Sequence, residues 1–348
     1  MHQSTFAPDP SRVQDLLGLC PAYEATPLVA RSGLAASEML LKDETSRMNL
    51  GSFKALGGVH AVYCLIRDAW ERGCGRQLDP KAIMTAEVRK FAGGLTFVCA
   101  SAGNHGLSVA AGAKLFGARA KIHLAKSVPS VFADVLREKG AEIVWSGNVY
   151  EQSMAAASKD AETSDAILLA DGSWPDYVAT PSIVMEGYTV MAEEMRRSFE
   201  ASNQWPTHIA LQAGVGGLAA AIACMVRRNW TVQPKLYVVE PEHAPCLGES
   251  HRAGRLVSVQ GPVSNMGRLD CKEASMIAFE VLEQCDVEYV TISDASAQRA
   301  TIDLKECGIK TTPSGAAGVA FFKGSRLGNQ ARLLAIISEG PVFATNSQ

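Results

Sequence analysis

The chain has 348 residues, of which 47% are hydrophobic and 20% are charged, with a formal net charge of −3. This composition is typical of a folded protein with a sizeable core and excludes a disordered or collagen-like chain. The acidic balance, without a basic run, argues against nucleic acid and anionic membranes as partners. The N-terminus "MHQSTFAPDPS" lacks a signal-peptide pattern and no apolar stretch is long enough for a bilayer, so we expect a cytoplasmic protein.

The first predicted elements are a helix around "SRVQDLLGLC", a strand "SEMLLKDE" and a helix that begins near Ser52. From residue 96 onward, short apolar strands alternate with amphipathic helices. The strands of a first set are "TFVCAS", "AKIHLA", "EIVWSG" and "AILLAD", and those of a second set are "THIALQAG", "KLYVVEP", "VEYVTIS" and "RLLAIISEG". This alternation is typical of βαβ units, so we predict an α/β protein with two parallel sheets.

Nine cysteines are scattered along the chain without a CxxC or Cys/His cluster at metal-ligand spacing. Their number is odd and their spacing is irregular. The pattern predicts reduced thiols in a reducing compartment and no metal site.

The segment "LQAGVGGLAAAIA" joins an apolar strand to a helix of small residues through Gly214, Val215, Gly216 and Gly217. Glycines leave backbone N–H groups unshielded, and a helix N-terminus carries a partial positive charge, so this loop can bind a phosphate group. The full GxGxxG spacing is missing and no Walker lysine follows. A glycine turn that only lets strand and helix pack closely is the alternative.

The segment "SAGNHG" also follows a strand and opens a helix, where ligands of parallel sheets bind. Ser101 and the backbone amides of Gly103 and Asn104 offer donors for a carboxylate. The side chains of Asn104 and His105 are polar groups at the same place. The alternative interpretation is that Asn104 caps the helix and His105 packs in the core.

Lys54 lies in "NLGSFKALGG", between an aromatic residue and a small apolar run. A lysine at its ordinary pKa of about 10.4 is protonated and is a poor nucleophile. Burial, which Phe53, Ala55 and Leu56 indicate, favours the neutral amine that can form a Schiff base. A solvated lysine in a glycine-rich turn is the alternative. A phosphate loop, a carboxylate-binding turn and a Schiff-base lysine together are what a pyridoxal phosphate (PLP) enzyme acting on an amino acid needs.

The order of these motifs resembles that of the fold-type-II PLP enzymes, the superfamily of tryptophan synthase β. Within it, "KDETSRMNLGSFKALGG", "ADGSWPDYVATPSIVMEGYTVMAEE" and "VVEPEHAPCL" look like the diaminopropionate ammonia-lyase branch. The resemblance covers roughly residues 35–340. It implies two doubly wound, three-layer αβα domains with PLP between them, and a homodimer. The large PLP-binding domain would comprise residues 1–91 and 197–348, with a smaller α/β domain of residues 92–196 inserted in it.

The resemblance also implies the roles of the residues that hold the cofactor. Lys54 would hold PLP as a Schiff base and later move the proton at the substrate Cα. Phe53 would pack beside the ring, and Asn104 would donate a hydrogen bond to the PLP 3′-oxygen. The loop of residues 214–217 would bind the phosphate. Ser338, in "IISEG", would place its hydroxyl against the pyridine nitrogen.

The substrate would lie against Ser101, Ala102, Gly103 and His105, with Asp171 near its amine or leaving group. In diaminopropionate ammonia-lyases the position of Ala102 is an aspartate implicated in proton abstraction from the D-isomer. The turn "SAGNHG" instead resembles that of the dehydratases, which favours an L-amino acid. The segment "TTPSGAAG" also lacks the glutamate that usually precedes Ser-Gly, since Thr312 and Pro313 stand there.

The predicted function is therefore an ammonia-lyase reaction, an α,β-elimination on a small amino acid such as 2,3-diaminopropionate that gives a 2-oxo acid and ammonia. A serine/threonine or 3-hydroxyaspartate dehydratase is an alternative on the same scaffold, as is a β-replacement synthase. A PLP-binding protein without enzymatic activity is a further, weaker alternative.

Overall fold

The computed structural model describes residues 6–35, 37–328 and 330–341. The strands of these residues are β1 (Leu28–Arg31), β2 (Met39–Asp43), β3 (Thr96–Ala100), β4 (Arg119–Leu124), β5 (Ala141–Trp145), β6 (Ile167–Leu168), β7 (His208–Gln212), β8 (Lys235–Pro241), β9 (Val287–Ile292) and β10 (Leu333–Ile337). The α-helices are α1 (Pro10–Leu17), α2 (Lys54–Cys74), α3 (Ala86–Ala92), α4 (Asn104–Phe116), α5 (Ser130–Glu138), α6 (Tyr150–Thr163), α7 (Ala179–Ser202), α8 (Gly217–Asn229), α9 (Cys246–Ala253), α10 (Met276–Leu282), α11 (Asp294–Glu306) and α12 (Ala317–Gly324). Short 3₁₀ helices cover Arg47–Asn49 and Pro80–Met84.

The strands form two sheets, which confirms the α/β class and the two predicted parallel-sheet units. The larger sheet has the order β1-β2-β10-β7-β8-β9, and the smaller has the order β5-β4-β3-β6. All of their strand pairs are parallel except β1 with β2. That antiparallel edge pair was not predicted, because β1 has only 4 residues and shows no alternation of apolar and polar side chains.

The predicted strand "SEMLLKDE" contains β2, which belongs to the larger sheet and pairs in parallel with the C-terminal strand β10. Because β10 also pairs in parallel with β7, the carboxyl ends of all three strands meet at one edge. The segments that follow these ends carry the 3₁₀ turn before Lys54, the glycine loop and Ser338. The topology therefore brings three separate motifs to one edge of one sheet.

The smaller sheet is built from β3 to β6, and all four strands lie between residues 92 and 196. The predicted strand "AILLAD" forms ladder pairs only at Ile167 and Leu168. Beyond this pair, the backbone N–H of Leu169 donates to the carbonyl of Val98, and the chain then turns away as a loop. The shortened strand releases Asp171 from the sheet into that loop.

Helix α2 packs against α4 and α7, and α7 packs against α8; α4 also contacts the smaller sheet and α8 the larger sheet. Their apolar side chains belong to one buried cluster whose members run in the chain from Phe6 to Ile336. Among the described residues, none of the helices combines the length and the apolar character needed to cross a bilayer.

Candidate functional site

Lys54 is the first residue of α2, and the segment before it is tied to the end of β10. The backbone N–H of Phe53 donates to the carbonyl of Ser338 at 3.1 Å, and the N–H of Gly340 donates to the carbonyl of Gly51 at 2.9 Å. Gly51 has a φ of +75°, a left-handed conformation that glycine adopts without strain. These contacts place Lys54 at the carboxyl edge of the larger sheet.

The glycines that follow Lys54 lie inside α2 and not in a turn. A Cβ atom at Gly57 would lie 2.4 Å from the Tyr188 ring and 2.6 Å from the carbonyl oxygen of Val184. A Cβ at Gly58 would lie 2.0 Å from Ser108 Oγ. Both positions are glycine because α2 crosses α7 and α4 at short range. The alternative of a lysine in a flexible glycine-rich turn is therefore wrong.

Lys54 Nζ forms an ion pair with Asp171 Oδ2 at 2.5 Å, and the two side chains are 20% and 22% exposed. Burial alone would lower the pKa of Lys54, but the charge of Asp171 and its hydrogen bond outweigh burial and raise the pKa. Burial likewise opposes the Asp171 carboxylate, whose pKa Lys54 nevertheless lowers. The prediction that apolar neighbours would leave the free amine neutral is wrong, because it took no account of Asp171.

The loop that carries Asp171 is held in place from two sides. The His105 ring is buried, and its Nε2 lies 2.8 Å from the carbonyl oxygen of Leu169. The hydroxyl of Tyr177 donates to the carbonyl of Leu168 and accepts from the N–H of Ala170, each at 3.0 Å. Burial lowers the pKa of His105, so its ring is neutral and Nε2–H is the donor. The packed-histidine interpretation agrees with this geometry, and contact of His105 with substrate stays a prediction.

The turn at Ser101, Ala102 and Gly103 connects β3 to α4 and is partly buried. The N–H of Gly103 lies 3.3 Å from Ser101 Oγ, so this amide already has a weak partner within the turn. Gly103 is the N-cap residue and Asn104 is the first residue of α4. The side chain of Asn104 donates through Nδ2 to the carboxylate of Glu339, so the alternative that Asn104 caps the helix is wrong.

The glycine loop connects β7 to α8. Gly216 has a φ of +99°, and no side chain caps the N-terminus of α8. A Cβ at Gly214 would lie 2.9 Å from Cys271 Sγ, and one at Gly217 would lie 3.7 Å from the ring of Tyr188. Tyr188 in turn lies 5.6 Å, measured from its ring centroid, from Lys54 Nζ. The uncapped helix start and the lysine therefore belong to one site.

These groups match the chemistry of PLP. The N-terminal N–H groups of α8 lack intrahelical partners and suit a phosphate dianion, which the macrodipole also favours. Lys54 offers the amine for a Schiff base, Asn104 an amide donor, and Ser338, 4% exposed, a hydroxyl at the end of β10. Phe53 packs edge-on against Tyr188 with 4.9 Å between ring centroids and forms an apolar wall. The residues present therefore fit this cofactor.

Three further residues belong to the site but were not found from the sequence: Tyr188, Arg268 and Glu339. Tyr188 is buried beside Lys54, and burial raises its pKa to about 12. Arg268 Nε lies 3.0 Å from Glu339 Oε2. These contacts join segments that are distant in the sequence. Only Glu339 could have been suspected from the sequence, because it directly follows Ser338 in the motif "IISEG".

Outside this site, the described residues contain no group of three or more His, Cys, Asp or Glu side chains that could hold a metal ion.

Comparison with known proteins agrees with this site. The family model for pyridoxal-phosphate dependent enzymes matches residues 19–339. Diaminopropionate ammonia-lyase of Salmonella typhimurium is 31% identical over 290 residues, which cover 80% of this chain and 71% of that protein. Its counterpart in Escherichia coli K12 is 29% identical over 282 residues, covering 79% and 69%. A probable D-serine dehydratase of an Acidovorax species is 26% identical over 332 residues, covering 88% and 72%.

Solved structures share the fold. The crystal structure of Escherichia coli diaminopropionate ammonia-lyase with an aminoacrylate-PLP azomethine reaction intermediate has a TM-score of 0.85 at 24% identity. The match covers 98% of this chain and 93% of that chain. A threonine deaminase structure gives a TM-score of 0.76 at 22% identity, covering 95% and 96%.

Proposed function

Because this chain belongs to the pyridoxal-phosphate dependent enzyme family, we propose that it is a PLP-dependent ammonia-lyase. The reaction would be an α,β-elimination on a small amino acid such as 2,3-diaminopropionate, giving a 2-oxo acid and ammonia. The diaminopropionate ammonia-lyases at 29% and 31% identity support this choice among the activities of the family.

The observation that carries the proposal is the ion pair between Lys54 and Asp171 at 2.5 Å. Lys54 is also the residue that would hold the cofactor, and a lysine nitrogen in a Schiff base has at most one N–H to donate, whereas the free ammonium has three. The carboxylate then needs another cation, and the β-ammonium group of 2,3-diaminopropionate is one. An anionic Asp171 would thus select a substrate with a charged β-amine and hold the leaving group.

The cofactor would be held by the residues that surround Lys54. Residues 214–217 and the start of α8 would bind the phosphate, Asn104 would donate to the 3′-oxygen and Ser338 would lie against the pyridine nitrogen. When bound, PLP supplies the electron sink that stabilises negative charge at the substrate Cα. A neutral hydroxyl at the ring nitrogen, in place of a carboxylate, leaves this sink moderate, which suits elimination better than transamination.

The chain's own residues would move the protons and position the substrate. The Ser101 hydroxyl and the N–H of Asn104 would bind the substrate carboxylate beside Ala102. Lys54, in its neutral form, would take the Cα proton as the general base of the site. Asp171 lies within hydrogen-bond distance of Lys54, so it can stabilise the ammonium that forms when Lys54 takes this proton, while the β-ammonium group of the substrate would leave as ammonia without a further proton.

A dehydratase acting on serine, threonine or 3-hydroxyaspartate is the second candidate. Ala102 favours it, because this turn carries no acidic side chain and resembles the turn of the dehydratases. The same residue favours an L-substrate over the D-isomer. The D-serine dehydratase relative at 26% identity supports a hydroxyl leaving group but not the L-preference.

We also propose that the enzyme is a cytoplasmic homodimer. All nine cysteines are free and six are buried, which suits a reducing compartment. We keep the proposed division into a large domain (1–91 and 197–348) and an inserted domain (92–196). The smaller sheet falls within the inserted range and the larger sheet outside it, which supports this division.

Two experiments test the function. The purified protein is expected to show a visible absorption band that borohydride bleaches, and a colourless protein that takes up no PLP would contradict the cofactor assignment. A panel of L- and D-isomers of diaminopropionate, serine, threonine and 3-hydroxyaspartate is then assayed for 2-oxo acid and ammonia. We expect the highest kcat/KM for L-2,3-diaminopropionate. Faster turnover of a hydroxy amino acid would establish the dehydratase, and product only with an added nucleophile would establish β-replacement.

A further inference from the structure

Glu339 is a buried carboxylate that contacts three side chains from separate segments. It is 2% exposed. It accepts from Asn104 Nδ2 and from Thr312 Oγ1, the latter at 2.5 Å, and it lies 3.0 Å from Arg268 Nε. Asn104 begins α4, the helix that follows strand β3 of the smaller sheet, whereas Glu339 follows strand β10 of the larger sheet. One carboxylate therefore links the two halves of the site.

Thr312 stands where the family resemblance leads us to expect a glutamate ahead of Ser-Gly. The hydroxyl of this threonine contacts the Glu339 carboxylate directly. The backbone of Glu339 is held as well, since its carbonyl accepts from Thr311 Oγ1 at 2.5 Å. The chain thus supplies a fixed carboxylate at the place where position 312 lacks one.

An asparagine amide has two ends of nearly the same shape, and its neighbours decide which end faces where. An ionised carboxylate only accepts hydrogen bonds, so it requires the NH₂ end of Asn104. Burial raises the pKa of Glu339, and the adjacent Arg268 guanidinium opposes that rise. Because one N–H of the Asn104 amide donates to Glu339, its second N–H can donate to a different acceptor.

We propose that Glu339 is a positioning residue that fixes the Asn104 amide so that its second N–H faces the 3′-oxygen of PLP. The inference rests on the proposed function, in which Asn104 contacts that oxygen. Thr312 and Arg268 hold the carboxylate in place. Without Glu339 the amide can turn over, and its carbonyl oxygen would then repel the anionic 3′-oxygen.

The test is a double-mutant cycle on the PLP-loaded protein with Glu339→Gln and Asn104→Ala. We expect Glu339→Gln to raise the dissociation constant for PLP about tenfold, the loss of one charge-assisted hydrogen bond. We expect it to move the absorption maximum of the bound cofactor in the same direction as Asn104→Ala. The double variant is expected to bind PLP no more weakly than the weaker single variant.

Glu193→Gln is the matched control, because Glu193 is also buried and hydrogen-bonded but contacts Arg196 and Arg197 on α7. It should leave the absorption maximum unchanged. Independent, additive effects of Glu339→Gln and Asn104→Ala would overturn the inference, as would an unchanged spectrum in Glu339→Gln beside a shifted one in Asn104→Ala.

Thr312→Val covers the case in which Glu339→Gln does not fold, since it removes one bond to Glu339 and keeps the carboxylate. A smaller shift of the absorption maximum in the same direction is expected, and no shift would overturn the inference. If the wild-type protein shows no band that borohydride bleaches, the proposed function itself fails. If the wild-type band is bleached but Glu339→Gln has the wild-type absorption maximum and PLP affinity, only the positioning role of Glu339 is overturned.

Discussion

Two groups of ion pairs use the same residue types in different ways. One is the pair Lys54–Asp171, whose side chains are about one-fifth exposed in the cleft. The other, here called the buried charge cluster, consists of Lys42, Glu44, Arg47 and Glu194, with side chains 0–4% exposed. Arg47 alone binds both glutamates, at 2.7 Å each. The cluster joins β2 and the turn after it to α7.

The difference lies in how many partners each charge has. In the buried charge cluster, Lys42 also donates to the carbonyl of Thr26 and Arg47 to the carbonyl of Glu24, so no charge can leave without breaking several bonds. Lys54 and Asp171 remain about one-fifth exposed, so this lysine would be free to exchange its ion pair for a bond to the cofactor. A lysine held by many buried partners serves the fold, whereas one paired with a partly exposed carboxylate can serve chemistry.

Among the substitutions in these two groups of ion pairs, Lys54→Ala is expected to have the largest effect, a loss of turnover. Turnover should fall by about a thousandfold or more, because both the cofactor anchor and the base at Cα are lost. The borohydride-reducible band should disappear, while the free energy of unfolding falls by about 1–3 kcal/mol, because Asp171 loses its cation but stays partly exposed to water. Activity measured with added PLP checks the first outcome, and urea unfolding of the apo protein checks the second. Wild-type turnover in this variant would remove Lys54 from its role.

Arg47→Met tests the other group. It leaves Glu44 and Glu194 buried without their shared cation, so we expect the free energy of unfolding to fall by about 3–5 kcal/mol. Arg47→Lys keeps the charge but loses the planar fork, and it should cost less. The kcat of the folded fraction should stay near the wild-type value. A stability loss no greater than that of Lys54→Ala would contradict the distinction between the two groups.

The sequence already pointed to much of this arrangement. The strand-end motifs around Lys54, Asn104 and Gly214 could be found because each is a local pattern of residue types at the carboxyl end of a strand. The alternation of strands and helices predicted both sheets for the same reason. The Lys54–Asp171 pair was beyond reach, because 117 residues separate its members and only the packing of α2 against α4 and α7 brings them together.

Other features depended on tertiary contacts in the same way. Asn104 and Glu339 are 235 residues apart, and no periodicity links them. Gly57 and Gly58 looked like turn residues, since the sequence does not show that α7 and α4 cross there. The predicted pKa of Lys54 moved in the wrong direction because its apolar neighbours are adjacent in the chain, whereas its charged partner is not.

Asp171→Asn tests whether the carboxylate of Asp171 controls the protonation of Lys54. Removing the carboxylate takes away the group that raises the pKa of Lys54, so burial then dominates and the pKa falls. PLP capture by the apo protein, which requires the neutral amine, should therefore reach its half-maximal rate at lower pH than in the wild type. Turnover of 2,3-diaminopropionate should fall about a hundredfold. An unchanged pH profile for PLP capture would show that Asp171 does not control the amine.

Glu240 extends the comparison to a buried carboxylate without a paired cation, and its expected effect is the smallest. It is 1% exposed and accepts the N–H groups of Leu247 and Gly248 at the start of α9. Burial raises its pKa from 4.5 to about 7. Because folding raises this pKa, the folded state binds the Glu240 proton more tightly than the unfolded state does. The stability that comes from this difference is fully present below the unfolded pKa of 4.5 and is lost as pH rises through about 7.

We therefore expect the unfolding free energy of the wild type, relative to Glu240→Gln, to fall by about 2 kcal/mol between about pH 5 and pH 7. Urea unfolding of both proteins across this range measures the difference. Asp171 and Glu194 should behave in the opposite sense, because their cations lower the pKa of each carboxyl group and their stabilisation is lost only as pH falls. A difference that stays constant with pH would mean that the two N–H groups of α9 keep Glu240 ionised as effectively as a cation does.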